Sequence, residues 1–496
     1  MSQVENDTVV KTSSGMLEGV VEEGVVVFRG VPYAAPVHGE NRFCPPQPFE
    51  AWDGVRASIE DGPIPPQRPS RLARVMGDFD YPYDENCLTL NIWTPGLDKS
   101  DCPVVVWIHG GAFVSGAGSL PWYNGAKLAG DHNLVVVSVN YRLGALGFLY
   151  HPEVSAGNLG LRDQVAALEW VKSHIAAFGG VPDNVTLMGQ SAGAISAYAL
   201  LANTHARDLF QRVILQSGRF SSFETPESGS AAAVALAEIA GVEIGKLKSL
   251  QVEDILDAQS ELARQNSDFA ATNIPILPII DDDLIPKNFH EAALEGAKGK
   301  EVMLGSTHDE MYAFLAGVPE ITGASDTQVE AVFKRELGDK WLDGLNFCRN
   351  RKPGAGPLEL LSLCLNETNF AGQTAEFAER LGSAGISAWL YRFDWFAPNS
   401  PFGACHCIEL PFIFNTFDKW QPPMIAGIDQ NEAEALARII QKTWANFARN
   451  GDPNHEGLLQ WPAYNKGDRS ELRWGRFIEV VRRPEGLNIK FFERDT

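Results

Sequence analysis

At 496 residues, 45% hydrophobic and 21% charged, the chain has globular composition, which excludes a disordered or collagen-like protein. Its formal net charge of -22 argues against nucleic acid as a partner, because binding a polyanion is driven by lysine and arginine displacing counterions; it suits an uncharged or cationic small molecule. Seven cysteines, sparse and odd in number, read as reduced thiols, and a polar start carrying Glu5 and Asp7 lacks the basic and apolar regions of an export signal, so a cytoplasmic location is expected.

Short β-rich runs at 8–11, 17–21 and 25–29 alternate with glycine turns and predict a small antiparallel meander that opens the sheet. Residues 44–69 are rich in proline, whose fixed φ and missing amide donor predict irregular surface chain. Continuous apolar strands follow at 104–109, 134–140, 185–188 and 212–216, with a helix over 163–178. Uninterrupted apolar strands joined to helices predict an α/β fold, a large, mostly parallel central sheet with helices on both faces. Strands at 301–306 and 388–394 and a helix over 432–450 continue the pattern, and polar helical segments at 228–264 and 326–380 are expected as insertions over a pocket. The apolar runs are too short to span a bilayer, so no membrane association is predicted. The whole chain, 1–496, reads as a single domain, compatible with a monomer or a homodimer.

Two glycine motifs carry the chemistry. Gly189-Gln190-Ser191-Ala192-Gly193 follows a strand and opens an alanine-rich helix, the setting of a strained strand-to-helix elbow that projects a serine hydroxyl beyond the sheet. Ser191 is the expected nucleophile, and the helix that follows points its positive end and the Ala192 amide at a developing oxyanion. Far upstream of the elbow, the strand Val104–Ile108 runs into His109-Gly110-Gly111, whose glycines let the backbone approach closely, so Gly110 and Gly111 are the expected oxyanion donors with Ala192. His109 lies inside that loop and is read as structural.

With these motifs the chain resembles the type-B carboxylesterases, the family of bacterial p-nitrobenzyl esterases, carbamate-herbicide hydrolases, mammalian carboxylesterases and cholinesterases. The similarity runs through Phe28-Arg-Gly-Val-Pro-Tyr33, residues 85–95, Asn140-Tyr-Arg-Leu-Gly144, Gly160-Leu-Arg-Asp-Gln164, the elbow, Leu215-Gln-Ser-Gly218, and segments 444–454 and 461–464. It implies the α/β-hydrolase fold and a Ser-Glu-His order of catalytic residues. The acid motif falls on Asp309-Glu310-Met311, with Met311 where relatives carry glycine, and points to Glu310 rather than Asp309. The histidine motif falls on Cys405-His406-Cys407-Ile408-Glu409 and points to His406 as general base. Cys405 and Cys407 cannot easily turn onto one ion together with His406, so no metal is expected.

The resemblance further implies structural ion pairs of Arg29 with Glu85 and Arg142 with Asp163. Cys87 stands at a position that is disulfide-bonded in secreted relatives, but the partner segment 62–67 holds no cysteine. Gln190 replaces a frequent glutamate beside the nucleophile, which weakens the case for a choline-like cation, and Ser217 matches a second serine near the site. Phe113, Phe220, Met311 and Phe314, with Gln190 and Ser217, are the expected pocket residues. The implied activity is hydrolysis of small alkyl or aryl carboxylic esters through an acyl-enzyme, with no cofactor. An aryl carbamate or amide hydrolase using the same residues is the alternative, and a non-catalytic adhesion or scaffold relative a distant one, since such members lose a catalytic residue and this chain keeps all three.

Overall fold

The computed structural model describes residues 8–482. Of the polar start read over residues 1–12, residues 1–7, with Glu5 and Asp7, lie outside the described residues.

An eleven-stranded sheet organises the molecule. Its strands are β1 (Val20–Glu22), β2 (Val25–Pro32), β3 (Thr89–Thr94), β4 (Cys102–Ile108), β5 (Val135–Val139), β6 (Gly180–Gln190), β7 (Arg212–Gln216), β8 (Glu301–Thr307), β9 (Ala388–Phe393), β10 (Glu471–Trp474) and β11 (Ile478–Val481). They lie side by side as β1-β2-β3-β5-β4-β6-β7-β8-β9-β10-β11. Strands β5 through β10 in that order are parallel, and the flanking strands pair antiparallel.

The alternation of side chains along each strand divides the core into two layers. Val104, Val106 and Ile108 of β4 face one layer, where α1 (Leu159–His174) and α2 (Ala192–Ala202) pack. Val105 and Trp107 face the other, covered by the long helix Gln430–Asn450 through Leu436, Ile440 and Trp444. The chain leaves β4, adds β5 on one side, then crosses back to add β6 on the other. That reversal opens a crevice beyond the carboxyl ends of β4 and β6, the place where open α/β sheets bind ligands.

A third apolar cluster lies outside these layers. It joins Phe333, Leu345, Leu361 and Leu365 of the helices in the 326–380 insertion to Met311 and Leu315 after β8. The other insertion contributes α3 (Val252–Gln265), which reaches the mouth of the crevice. Among the described residues, no helix is long and apolar enough to cross a membrane.

The N-terminal meander divides: Val9–Thr12 and Gly15–Glu18 join Val55–Ala57 in a separate three-stranded sheet, and only β1 and β2 enter the main one. Arg29 does not pair with Glu85. It reaches Glu22 within its own hairpin, at 2.8 and 2.5 Å, while Glu85 is held by Arg42 at 2.5 and 2.7 Å. The second pair forms as expected: Arg142 Nε and Nη2 donate to Asp163 at 2.8 and 2.6 Å, both side chains buried. All seven cysteines are unpaired, Cys87 among them.

Candidate active site

Four loops converge at the carboxyl edge of the sheet. The elbow after β6 places Ser191 at φ 56°, ψ -123°, a conformation that L residues rarely adopt and that persists only where surrounding structure imposes it. The glycines on either side are obligatory. A Cβ on Gly189 would stand 2.3 Å from the Gly193 carbonyl oxygen, and one on Gly193 would stand 2.0 Å from that of Ile108. The Ser191 amide donates to Gln216 O on β7 at 2.8 Å, which ties the elbow to the sheet.

The glycine loop after β4 lies directly against the elbow. A Cβ on Gly110 would be 3.0 Å from Ser191 Cβ, and one on Gly111, at φ 119°, would be 1.9 Å from Ser115 O. Ala112 and Phe113 continue the loop at positive φ. Gln67 clamps its far end, accepting from the Gly116 amide at 2.6 Å and donating to Gly116 O at 2.9 Å. His109 is buried and stacked on Tyr141, with Nδ1 against Gly110 O at 2.7 Å. Burial drives its pKa down to about 4, so it stays neutral, in keeping with a structural role.

His406 and Glu310 meet from loops after β9 and β8. His406 Nδ1 lies 2.5 Å from Glu310 Oε2, and Glu310 Oε1 accepts from the Thr307 amide at 2.7 Å, with both side chains buried. Asp309, the alternative acid, turns away to His308 at 2.8 Å and to the Ala404 amide at 3.0 Å. Asn366 braces the acid loop, accepting from the Met311 amide and donating to His308 O, each at 2.9 Å.

The second edge of the imidazole faces Gln190, whose amide Nε2 is 3.2 Å from His406 Nε2 and donates to Cys407 Sγ at 3.3 Å. A donating amide there and a carboxylate at Nδ1 select the tautomer with its proton on Nδ1 and a lone pair on Nε2, which is the form a general base needs. Among the described residues, no hydrogen bond joins Ser191 Oγ to His406; both open into one cavity of about 450 Å³, and such contacts tighten when substrate binds. Burial works against the imidazolium, while Cys407 and Glu310 beside it outweigh that and hold the His406 pKa well above its ordinary value. Behind the site, burial and the Glu310 carboxylate push Glu409 up to about 7, and its Oε1 accepts from Gln216 at 3.3 Å.

Of the expected pocket residues, Gln190 and Phe314 line this cavity. Phe113, Phe220, Met311 and Ser217 do not, which corrects their placement. Phe113 packs on Phe148 in the core, Phe220 stacks on Tyr198, Met311 joins the helical cluster, and Ser217 is buried at the end of β7. Walls that the sequence reading missed come from Leu72, Met76, Trp122 and Ile276, and from Arg68, Arg71 and Arg264.

The family model described as the carboxylesterase family matches residues 6–486. The chain is 35% identical to a phenmedipham hydrolase of Pseudarthrobacter oxydans over 97% of this chain and 99% of the relative. It is 36% identical to the para-nitrobenzyl esterase of Bacillus subtilis (strain 168) over 96% of each. The solved structure of a thermophilic PNB esterase superposes with a TM-score of 0.88 at 33% identity, covering 98% of this chain and all (100%) of that one. An elbow serine, an adjoining glycine loop and a buried histidine–glutamate pair on the sheet these relatives share identify the chain as a member of the carboxylesterase family, an α/β-hydrolase-fold enzyme that hydrolyses carboxylic esters.

Proposed function

We propose that the whole chain forms one catalytic domain in which Ser191, His406 and Glu310 cleave small alkyl or aryl esters through a covalent acyl-enzyme. The observation that carries this reading is the buried 2.5 Å pair of His406 and Glu310 opening into the cavity that also holds the strained Ser191. Ser191 Oγ attacks the ester carbonyl as its proton passes to His406 Nε2, and Glu310 stabilises the imidazolium. The amides of Gly110, Gly111 and Ala192 hold the oxyanion. Collapse expels the alcohol, which takes the proton from His406, and a water activated by the same nitrogen releases the acid.

Mapping a fluorophosphonate adduct by peptide mass spectrometry tests the nucleophile: a single label on the Ser191 peptide is expected, and a label elsewhere would overturn the assignment. The similarity to a phenmedipham hydrolase supports a second reading, an aryl carbamate as substrate. Matched ester, carbamate and anilide substrates with one leaving group separate the two.

The raised pKa of His406 fixes the sign of the pH dependence. Only neutral imidazole accepts the serine proton, so kcat/KM for a neutral ester rises with pH through a midpoint above the ordinary histidine value of about 6.5. Turnover at pH 6 is expected to be roughly fourfold or more below that at pH 8.5. A profile flat across this range would count against His406 as the base.

A further inference from the structure

The cavity wall and the rest of the molecule have opposite charge. The chain carries 63 acidic against 41 basic residues, yet among the described residues no aspartate or glutamate lines the cavity that holds Ser191 and His406, whereas Arg68, Arg71 and Arg264 do. Two of these arginines are neutralised from behind. Arg68 is paired with Asp257 at 2.6 Å and Arg264 with Glu261 at 2.6 Å, and neither carboxylate belongs to the wall.

Arg71 has no such partner. Among the described residues, the hydrogen bond of its guanidinium runs from Nη1 to the carbonyl oxygen of Asn273, on the opposite lip, at 3.3 Å. It is open to solvent through the mouth but walled closely enough that burial lowers its pKa, with no acidic group acting against the shift. A guanidinium carries five donors in a planar fork suited to a carboxylate, and a single long bond to one carbonyl leaves most of that capacity unused. Below this rim the walls are apolar, built from Leu72, Met76, Trp122, Ile276 and Phe314.

An apolar chamber with a cationic lip fits a substrate that is apolar around the scissile bond and anionic at its far end. We propose that the site takes esters bearing a carboxylate remote from the reacting carbonyl, such as half-esters of dicarboxylic acids, and that Arg71 is the residue that recognises this carboxylate. The inference rests on the esterase reading of Ser191 and His406, and it reverses the uncharged or cationic substrate that the net charge of the chain suggests. Net charge governs the far field; the nearest unpaired charge governs what the mouth accepts.

The test compares kcat/KM for matched neutral and anionic esters in the wild type, Arg71→Ala and Arg71→Lys. One pair places the carboxylate on the acyl side, 4-nitrophenyl hexanoate against mono-4-nitrophenyl adipate. The other places it on the alcohol side, 4-nitrophenyl acetate against 3-carboxy-4-nitrophenyl acetate. In Arg71→Ala the anionic-to-neutral ratio is expected to fall about tenfold for at least one pair, mainly through KM, as loss of a charge-assisted contact predicts. Arg71→Lys should restore part of the ratio, and added salt should lower it in the wild type more than in Arg71→Ala. A ratio that Arg71→Ala moves by less than about twofold on both pairs overturns the proposal. Calorimetric titration of the same proteins with adipate reads the anion site without chemistry. Absence of turnover on the neutral esters would refute the esterase reading, and in that event adipate binding that Arg71→Ala weakens upholds the anion site, while binding it leaves unchanged, or no binding at all, overturns it.

Discussion

Replacing Ser191 by alanine is expected to lower kcat for 4-nitrophenyl butyrate by about 10⁴-fold or more, replacing His406 by alanine by a comparable factor, and replacing both by no more than either alone. The non-additivity is the informative part. A histidine that activates a serine has nothing to act on once the hydroxyl is gone, whereas two residues contributing independently would multiply their losses. Alanine at 191 keeps a Cβ in the same left-handed backbone, and the elbow is held by the Ser191 amide to Gln216 O rather than by the hydroxyl, so the variant should fold with little change in Tm. Steady-state kinetics with an intact-mass check for loss of the fluorophosphonate adduct measures this. Turnover within about tenfold of the wild type in Ser191→Ala would refute the mechanism.

What the sequence disclosed depended on the range of the interaction involved. The elbow and the glycine loop were legible because each is a contiguous motif with a local constraint of its own: Gly189 is dictated by the Gly193 carbonyl within the same turn and Gly111 by the Ser115 carbonyl within the same loop, while the packing of Gly193 on Ile108 and of Gly110 on Ser191 joins the two motifs over some eighty residues and shows only in the fold. The meeting of Glu310 with His406 was not legible from the residues themselves. They lie 96 positions apart and are brought together by the parallel register of β8 on β9 and the bridge between Asp309 and Cys405, so only resemblance to a family pointed to them. The cavity walls were least legible. Phe113, Phe220 and Met311 are as apolar as Phe314, and nothing local distinguishes a ring packed in the core from one facing a cavity. Nothing in the sequence around Arg71 marks it as a cavity residue, because the opposite lip at Asn273 reaches it from a segment some two hundred residues later in the chain. The last two strands, β10 and the edge strand β11, were missed because each is four residues long and mixes charged with apolar side chains, too little for a periodic signal.

The largest loss of stability is expected from Arg142→Ala. Arg142 and Asp163 are buried at 3% and 0% side-chain exposure, joined by two charge-assisted bonds, and the Arg142 amide donates to Asp163 Oδ2 at 3.0 Å as well. Arg142 Nη1 also donates to the carbonyls of Arg42 and Cys44, at 3.1 and 2.8 Å, so one side chain ties the irregular N-terminal segment to α1 beneath the crevice. Truncation leaves a carboxylate without its cation in the interior and two carbonyls without a donor, a loss on the order of 3–5 kcal/mol. Arg29→Ala provides the contrast. Its partner Glu22 is 41% exposed, so water compensates the loss, and about 1 kcal/mol or less is expected. Denaturant unfolding of the two variants side by side measures the difference. If Arg142→Ala costs no more than Arg29→Ala, the Arg142–Asp163 pair is not the brace its burial indicates. An Arg142→Ala, Asp163→Asn double variant should recover part of the loss, because an amide is far less costly to bury unpaired than a carboxylate.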